Sequence, residues 1–180
     1  FDHPNVDNEK NYDLRILSNE PEKHFDDLIN WFADFDFFNE NIKVGLLSYK
    51  DQSLLEKINL KCYQKEFIWE ESKDLLEISK ILIKKSSLKK IETNHKYNFI
   101  IGRHILEHVS NPEFLIKYIE SYLEKNGIIY FEVPSPSYMV REGLSYFLWE
   151  EHPSYFTTKS LKNLFDKLGF ISYFKTFENG

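Results

Sequence analysis

Of the 180 residues only one is a cysteine, Cys62. An intrachain disulfide and any multi-cysteine zinc or iron–sulfur site are therefore excluded, and a reducing, cytoplasmic setting is expected. Long apolar runs are also missing. None approaches the ~20 residues that a membrane-spanning helix needs, and the charged, Asn-rich beginning lacks the apolar stretch of a secretory signal, so no membrane partner is expected. Basic charge is in deficit: 23 Lys and Arg against 29 Asp and Glu leave a formal net charge of −6. Phosphate backbones bind basic faces, so nucleic acid is not an expected partner either. Even the lysine-dense stretch KILIKKSSLKK reads as a solvated helix end. What the chain has in excess is rings. An aromatic share of 17%, with 16 Phe and 11 Tyr, favours a core or cleft walled by them. The length suits one α/β domain with a substantial core. The first residue is Phe rather than Met, and the chain is expected to be a piece of a longer one.

Residues 1–20 are polar and without a sustained period, and read as an irregular arm. Over 21–38 the apolar positions Phe25, Leu28, Ile29, Trp31, Phe32 and Phe35 recur at three- and four-residue spacing, which predicts an amphipathic helix with Pro21 in its first turn. A short apolar run at 42–48 then predicts a strand, followed by a loop and the helix-like SLLEKI. A second run at 63–69 precedes a helical pattern carrying Leu75, Leu76, Ile78 and Leu82, and 88–91 is a weaker strand. Residues 97–102 have the length and apolarity of a buried parallel strand. Asn111 or Ser110 caps the next helix, with Pro112 and Glu113 in its first turn and Lys125-Asn126-Gly127 at its end. Residues 128–133 form another strand, stopped by Pro134-Ser135-Pro136. Leu161, Leu164, Phe165 and Leu168 define a last helix closed by Gly169, and 170–177 is expected as a final strand. Alternating strands and helices predict an α/β fold: a doubly wound, mostly parallel sheet with helices on both faces and its ligand site beyond the carboxyl ends of the strands.

The stretch GRHILEHVSNP contains H-x-x-E-H, the order of ligands and base in inverted zinc peptidases. Such a site needs a continuous helix of several turns and a third protein ligand. Here His104 ends a buried strand, and Ser110-Asn111-Pro112 starts a new helix two residues after His108, so no metal site is expected. Glu107 and His108 are expected to hydrogen-bond neighbouring backbone groups. His104, at the end of a central strand, has the better claim to a site.

The segment YNFIIGRHILEHVSNPEFLIKYIESYLEKNGIIYFEVPS resembles the second half of class I S-adenosylmethionine-dependent methyltransferases, in which a strand ending in R-H-V-L-E-H is followed by a D-P-capped helix and then G-x-x-x-x-E-V-P. FLWEEHPSYFTTKSLKNLFDKLGF is similar to the Y-x-E-H…Y-F-S…S-L…GF segment of the sugar C-methyltransferase branch. The resemblance implies a Rossmann-like sheet over a methyltransferase-like domain at 21–180. It also implies S-adenosylmethionine as donor, bound at the carboxyl ends of the strands, and an acceptor held by the segment after the fifth strand. Ser48, Asp51 and Gln52 align with the family's donor loop, Glu70 and Glu71 with the acid that holds the ribose hydroxyls, and Arg103 and His104 with the strand end beside the donor. The chain departs from the pattern at Leu46, where a Glu is usual, at Ser48 and Gln52, where glycines are, at Ser135 for Asn, and at Trp149 for Tyr.

For a carbon or hydroxyl acceptor a base must remove a proton as the methyl group moves. The expected catalytic residues are His152 as base, with Glu151 beside it and Glu132 as supporting carboxylates. The expected function is methyl transfer to a small-molecule acceptor, sugar-type compounds included. The alternative is a catalytically inactive methyltransferase-like binding or scaffolding domain, and the 46–53 loop separates the two.

Overall fold

The computed structural model describes residues 20–35, 43–48, 51–61, 96–143 and 152–177. The strands and helices expected at 63–69, 75–82 and 88–91 lie outside the described residues, as do Glu70, Glu71 and Glu151. By packing, the chain divides into two compact units, Phe1–Phe38 with Lys175–Gly180, and Asn39–Phe174.

The second unit is built on β2 (Tyr97–Arg103), whose residues are buried at five of seven positions. A strand covered on both faces cannot alternate polar and apolar side chains, which is why YNFIIGR reads as one apolar run. β2 pairs in parallel with β1 (Val44–Leu46) on one side and with β3 (Leu123–Glu132) on the other, in the order β1-β2-β3. Gly102 allows the close packing at its carboxyl end. A Cβ there would lie 2.6 Å from Leu47 Cδ1 and 3.2 Å from Phe131 Cε1. α2 (Gln52–Lys61) follows β1 and buries Leu54, Leu55 and Ile58.

Between β2 and β3 the chain crosses over through α3 (Pro112–Glu120). Asn111 caps it as expected: its side-chain oxygen accepts from Phe114 N at 3.0 Å, and Pro112 needs no partner at the first helical position. Leu115, Ile116 and Ile119, all fully buried, join Ile100, Ile105 and Leu106 in the core. The helix ends earlier than its apolar spacing suggests. Lys125-Asn126-Gly127 is a bulge in β3: Leu123 pairs with Tyr97 and Ile128 with Phe99, so four residues of β3 stand opposite Asn98 alone. Asn126 takes a φ of 66° there. A helix stop and a bulge use the same left-handed residue, so the sequence signal was ambiguous.

α4 (Pro136–Arg141) was not expected. Ser135 caps it through Tyr138 N, the same Ser/Asn-Pro syntax that starts α3. α5 (Thr158–Lys167) is capped by Thr157 and followed by Gly169 at φ 84°. Residues 170–177, expected as a final strand, form none. An apolar alternation makes a strand only where a ladder partner is available, and Ile171 and Tyr173 are instead 87% and 68% exposed.

In the first unit, α1 (Glu20–Ala33) buries His24, Leu28, Ile29 and Phe32 along one stripe. The Phe177 ring meets His24 edge-on at 5.0 Å and Trp31 at 6.1 Å. Among the described residues no helix is long and apolar enough to cross a membrane.

Candidate functional site

The carboxyl ends of β1, β2 and β3 face one way because the three strands are parallel, and charged side chains gather there. Arg103 and Glu132 are register partners at the ends of β2 and β3. Arg103 Nε donates to Glu132 Oε2 at 2.7 Å, with the side chains 13% and 12% exposed. Asp51, delivered by the loop between β1 and α2, approaches Arg103 from the other side. Its Oδ1 lies 3.6 Å from Arg103 Nη1, and its Oδ2 accepts from Arg103 N at 3.4 Å. Asp51 is 1% exposed, and a turn bond from its own N–H to Ser48 O holds the loop.

Burial outweighs the attraction of Arg103 and raises the Asp51 pKa from 3.8 to about 6; Glu132 adds to the rise and His104 opposes it. Arg103 is held in its charged form. Burial disfavours its charge, but Glu132 and then Asp51 more than compensate, and its pKa rises above the ordinary value.

His104 follows directly. Its φ of 52° is in the left-handed region, which costs a non-glycine residue on the order of 1–2 kcal/mol. Three contacts hold it there. Its N–H donates to Glu132 O at 2.9 Å, its Nδ1 lies 3.5 Å from Glu107 Oε1, and its Nε2 lies 3.4 Å from Glu132 Oε1. Burial works against the imidazolium, yet Glu107 and Glu132 together raise the pKa to about 9, so His104 is a cation at neutral pH.

Tyr130, two residues before Glu132 on the same face of β3, donates its hydroxyl to Glu132 Oε2 at 3.0 Å. Burial, then Glu132, raises its pKa well above the usual value. Sequence reasoning missed this residue; the signal was the period of two at the end of a strand that already carried Glu132.

The H-x-x-E-H stretch is a strand end followed by a three-residue 3-10 turn, Leu106–His108, and not a ligand-bearing helix. The expectation that Glu107 bonds neighbouring backbone is not met. Among the described residues neither of its carboxylate oxygens accepts a hydrogen bond, although the side chain is buried. Glu107 is instead turned inward toward His104. His108 turns its ring edge-on to His152, with centroids 4.5 Å apart and an interplanar angle of 80°. The segment carrying His152 is tied down where Ser154 N donates to Glu107 O at 3.3 Å, and Tyr155 lies 5.9 Å from the His152 ring.

Of the residues expected at the site, Asp51, Arg103, His104 and Glu132 thus form one connected network. Ser48 borders it through the turn to Asp51, Gln52 opens α2, and His152 joins His108 and Glu107 beside it.

A sheet of parallel strands with a charged cluster at their carboxyl ends is the arrangement of nucleotide- and cofactor-using α/β enzymes. The chain belongs to a family of methyltransferase domains, whose match covers residues 27–171. Among solved structures it is similar to the plantazolicin methyltransferase BpumL in complex with a monoazolic desmethylPZN analog and SAH, at 16% sequence identity and a TM-score of 0.53. The complex of the same enzyme with a pentazolic analog gives 16% and 0.51. Each match covers 83% of this chain and 66% of the other, so the chain spans just under two thirds of BpumL. This likeness establishes a Rossmann-like α/β fold. Comparison with curated proteins gives no match.

Proposed function

We propose that the chain transfers a methyl group from S-adenosylmethionine to a small-molecule acceptor, of the sugar type that the E-E-H-P-S-Y-F segment suggests. The observation that carries this is the charge balance at the strand ends of a methyltransferase-family domain. Two cations, Arg103 and His104, stand among three carboxylates, Asp51, Glu107 and Glu132. Between about pH 6 and about pH 9 the cluster holds one negative charge in excess. A donor bearing a sulfonium is bound best by a site of opposite sign in which water is scarce. The SAH held by BpumL agrees with a donor of this kind.

In this reading Ser48, Asp51 and Gln52 shape the donor loop, Glu70 and Glu71 take the ribose hydroxyls, and Arg103 and His104 lie beside the donor. The acceptor's carbon or oxygen attacks the sulfonium methyl in line, the carbon–sulfur bond breaks, and the thioether leaves. His152 takes the acceptor's proton, supported by Glu151, while Glu132 holds Arg103 and His104 in place. Isothermal titration with S-adenosylmethionine and with S-adenosylhomocysteine tests the proposal without knowledge of the acceptor. One site per chain is expected; no heat and no thermal shift at millimolar donor would refute it.

A further inference from the structure

Glu107 enters that chemistry only through its charge, and its surroundings are unusual. It is 2% exposed, and among the described residues neither carboxylate oxygen accepts a hydrogen bond. A buried carboxylate left in this condition is strongly destabilising unless a cation meets it. His104 Nδ1, at 3.5 Å from Oε1, meets one oxygen only loosely. Beside it, one ligand atom each from Glu107, His108 and His152 all lie within 4.8 Å of one another.

We propose that Glu107, His108 and His152 form a binding site for one divalent transition-metal ion, with zinc the best fit. Two imidazoles and one carboxylate are the ligand set of open zinc sites, which leave a fourth position for water or another oxygen. Nitrogen donors select against magnesium and calcium, which take oxygen. The geometry is close to what the ion requires. In a tetrahedral site, ligand atoms at ~2.0–2.2 Å from one zinc ion stand roughly 3.3–3.6 Å apart, so side-chain rotations that draw the three together by about 1 Å bring them into place. Glu107 and His108 are adjacent on the 3-10 turn, and the Ser154 N–H on Glu107 O fixes the stretch of chain that carries His152 against them.

This site is not the one that the H-x-x-E-H order suggests. His104, first in that order, is engaged through Nδ1 with Glu107 and through Nε2 with Glu132. It orients the ligating carboxylate, as outer groups around a metal do. The third ligand is His152, from beyond β3. A neutral imidazole has one acceptor nitrogen, so an ion bound there takes the lone pair that a general base would use. The loaded protein is then silenced as a methyltransferase, a consequence that rests on the proposed function above; the binding itself does not.

The test uses the full chain with any affinity tag removed and metals stripped by chelator. Zinc is titrated against a chromophoric chelator, and bound metal is counted by elemental analysis. One ion per chain is expected, and cobalt in its place gives the visible absorption of a four-coordinate site. Glu107→Gln and His152→Gln should each weaken zinc binding by about tenfold or more, with far-ultraviolet circular dichroism confirming the fold. Should Glu107→Gln fail to fold, His108→Gln and His152→Gln, both at half-buried positions, decide the matter. No saturable binding to the folded wild type, or unchanged affinity in the folded variants, would overturn the site. Because binding is read without turnover, an inactive protein that holds zinc leaves the site standing, and an active one that holds none removes it.

Discussion

Arg103 Nε lies 2.7 Å from Glu132 Oε2, across the ends of two strands whose register makes these residues partners. Glu132 is the hub of the network, for it also accepts from Tyr130 and faces His104. Removing it strands a largely buried guanidinium and an imidazolium. Breaking a buried pair from one side costs about 3–5 kcal/mol. Glu132→Ala is therefore expected to lose about that much stability in urea unfolding. A loss below about 1 kcal/mol would show that solvent already screens the pair.

Asp51 gives a pH dependence whose sign is opposite to that of an ordinary paired carboxylate. Its folded pKa, about 6, is above the unfolded 3.8, so the folded state favours the protonated form. The stability it contributes is full below about pH 4 and is lost as pH rises through about 6. The groups facing it are Arg103, Glu132 and His104, and the shift of about two units corresponds to about 3 kcal/mol. Asp51→Asn should abolish this slope and be more stable than wild type at neutral pH. The measurement is the difference in urea midpoint between the two proteins at about pH 4 and about pH 7. An equal difference at both would show that Asp51 does not titrate in this range. Donor affinity should move the other way, because the substitution removes the excess negative charge.

Much of this was legible in the sequence because it depends on local rules. The apolar run of β2, the Asn111-Pro112 cap and the Thr157 to Gly169 helix each carry their own start and stop signals. What failed depended on partners distant in the chain. Residues 170–177 alternate like a strand but find no ladder among the described residues, and Asn126-Gly127 looks like a helix stop until β2 lies alongside. The network of Arg103, His104 and Glu132 could be anticipated because these residues stand at or just beyond the ends of strands. Glu107 could not, since only folding brings His152 to it; no spacing in the chain announces a juxtaposition made by the 3-10 turn and the segment after β3.

Gly102 tests how tightly the strand ends are packed. A methyl group there meets Leu47 Cδ1 at 2.6 Å, a contact real structures do not keep, so Leu47 must rotate or β1 must shift. Leu47 is 1% exposed and has little room. Gly102→Ala should cost about 1–3 kcal/mol, the usual range for overpacking, and should weaken donor binding at the proposed site, because Arg103 is the next residue. A stability within about 0.5 kcal/mol of wild type would mean that Leu47 has a second rotamer open to it.

His152 is where base and strut can be told apart. Its ring lies edge-on to His108 and near Tyr155, in a half-buried position, so truncation removes a modest amount of packing. If it takes the acceptor's proton, His152→Ala should leave donor affinity nearly unchanged, since the proposed donor site lies at the strand ends. Turnover should then fall by roughly two to four powers of ten, the usual share of a general base. A strut would give the reverse pattern, a lower melting temperature with turnover reduced only modestly. Titration calorimetry, thermal unfolding and a donor-consumption assay on an identified acceptor read the three quantities separately. Intact stability with a near-wild-type rate would remove His152 from the mechanism. It would leave the donor site and the family assignment untouched, because neither depends on this imidazole.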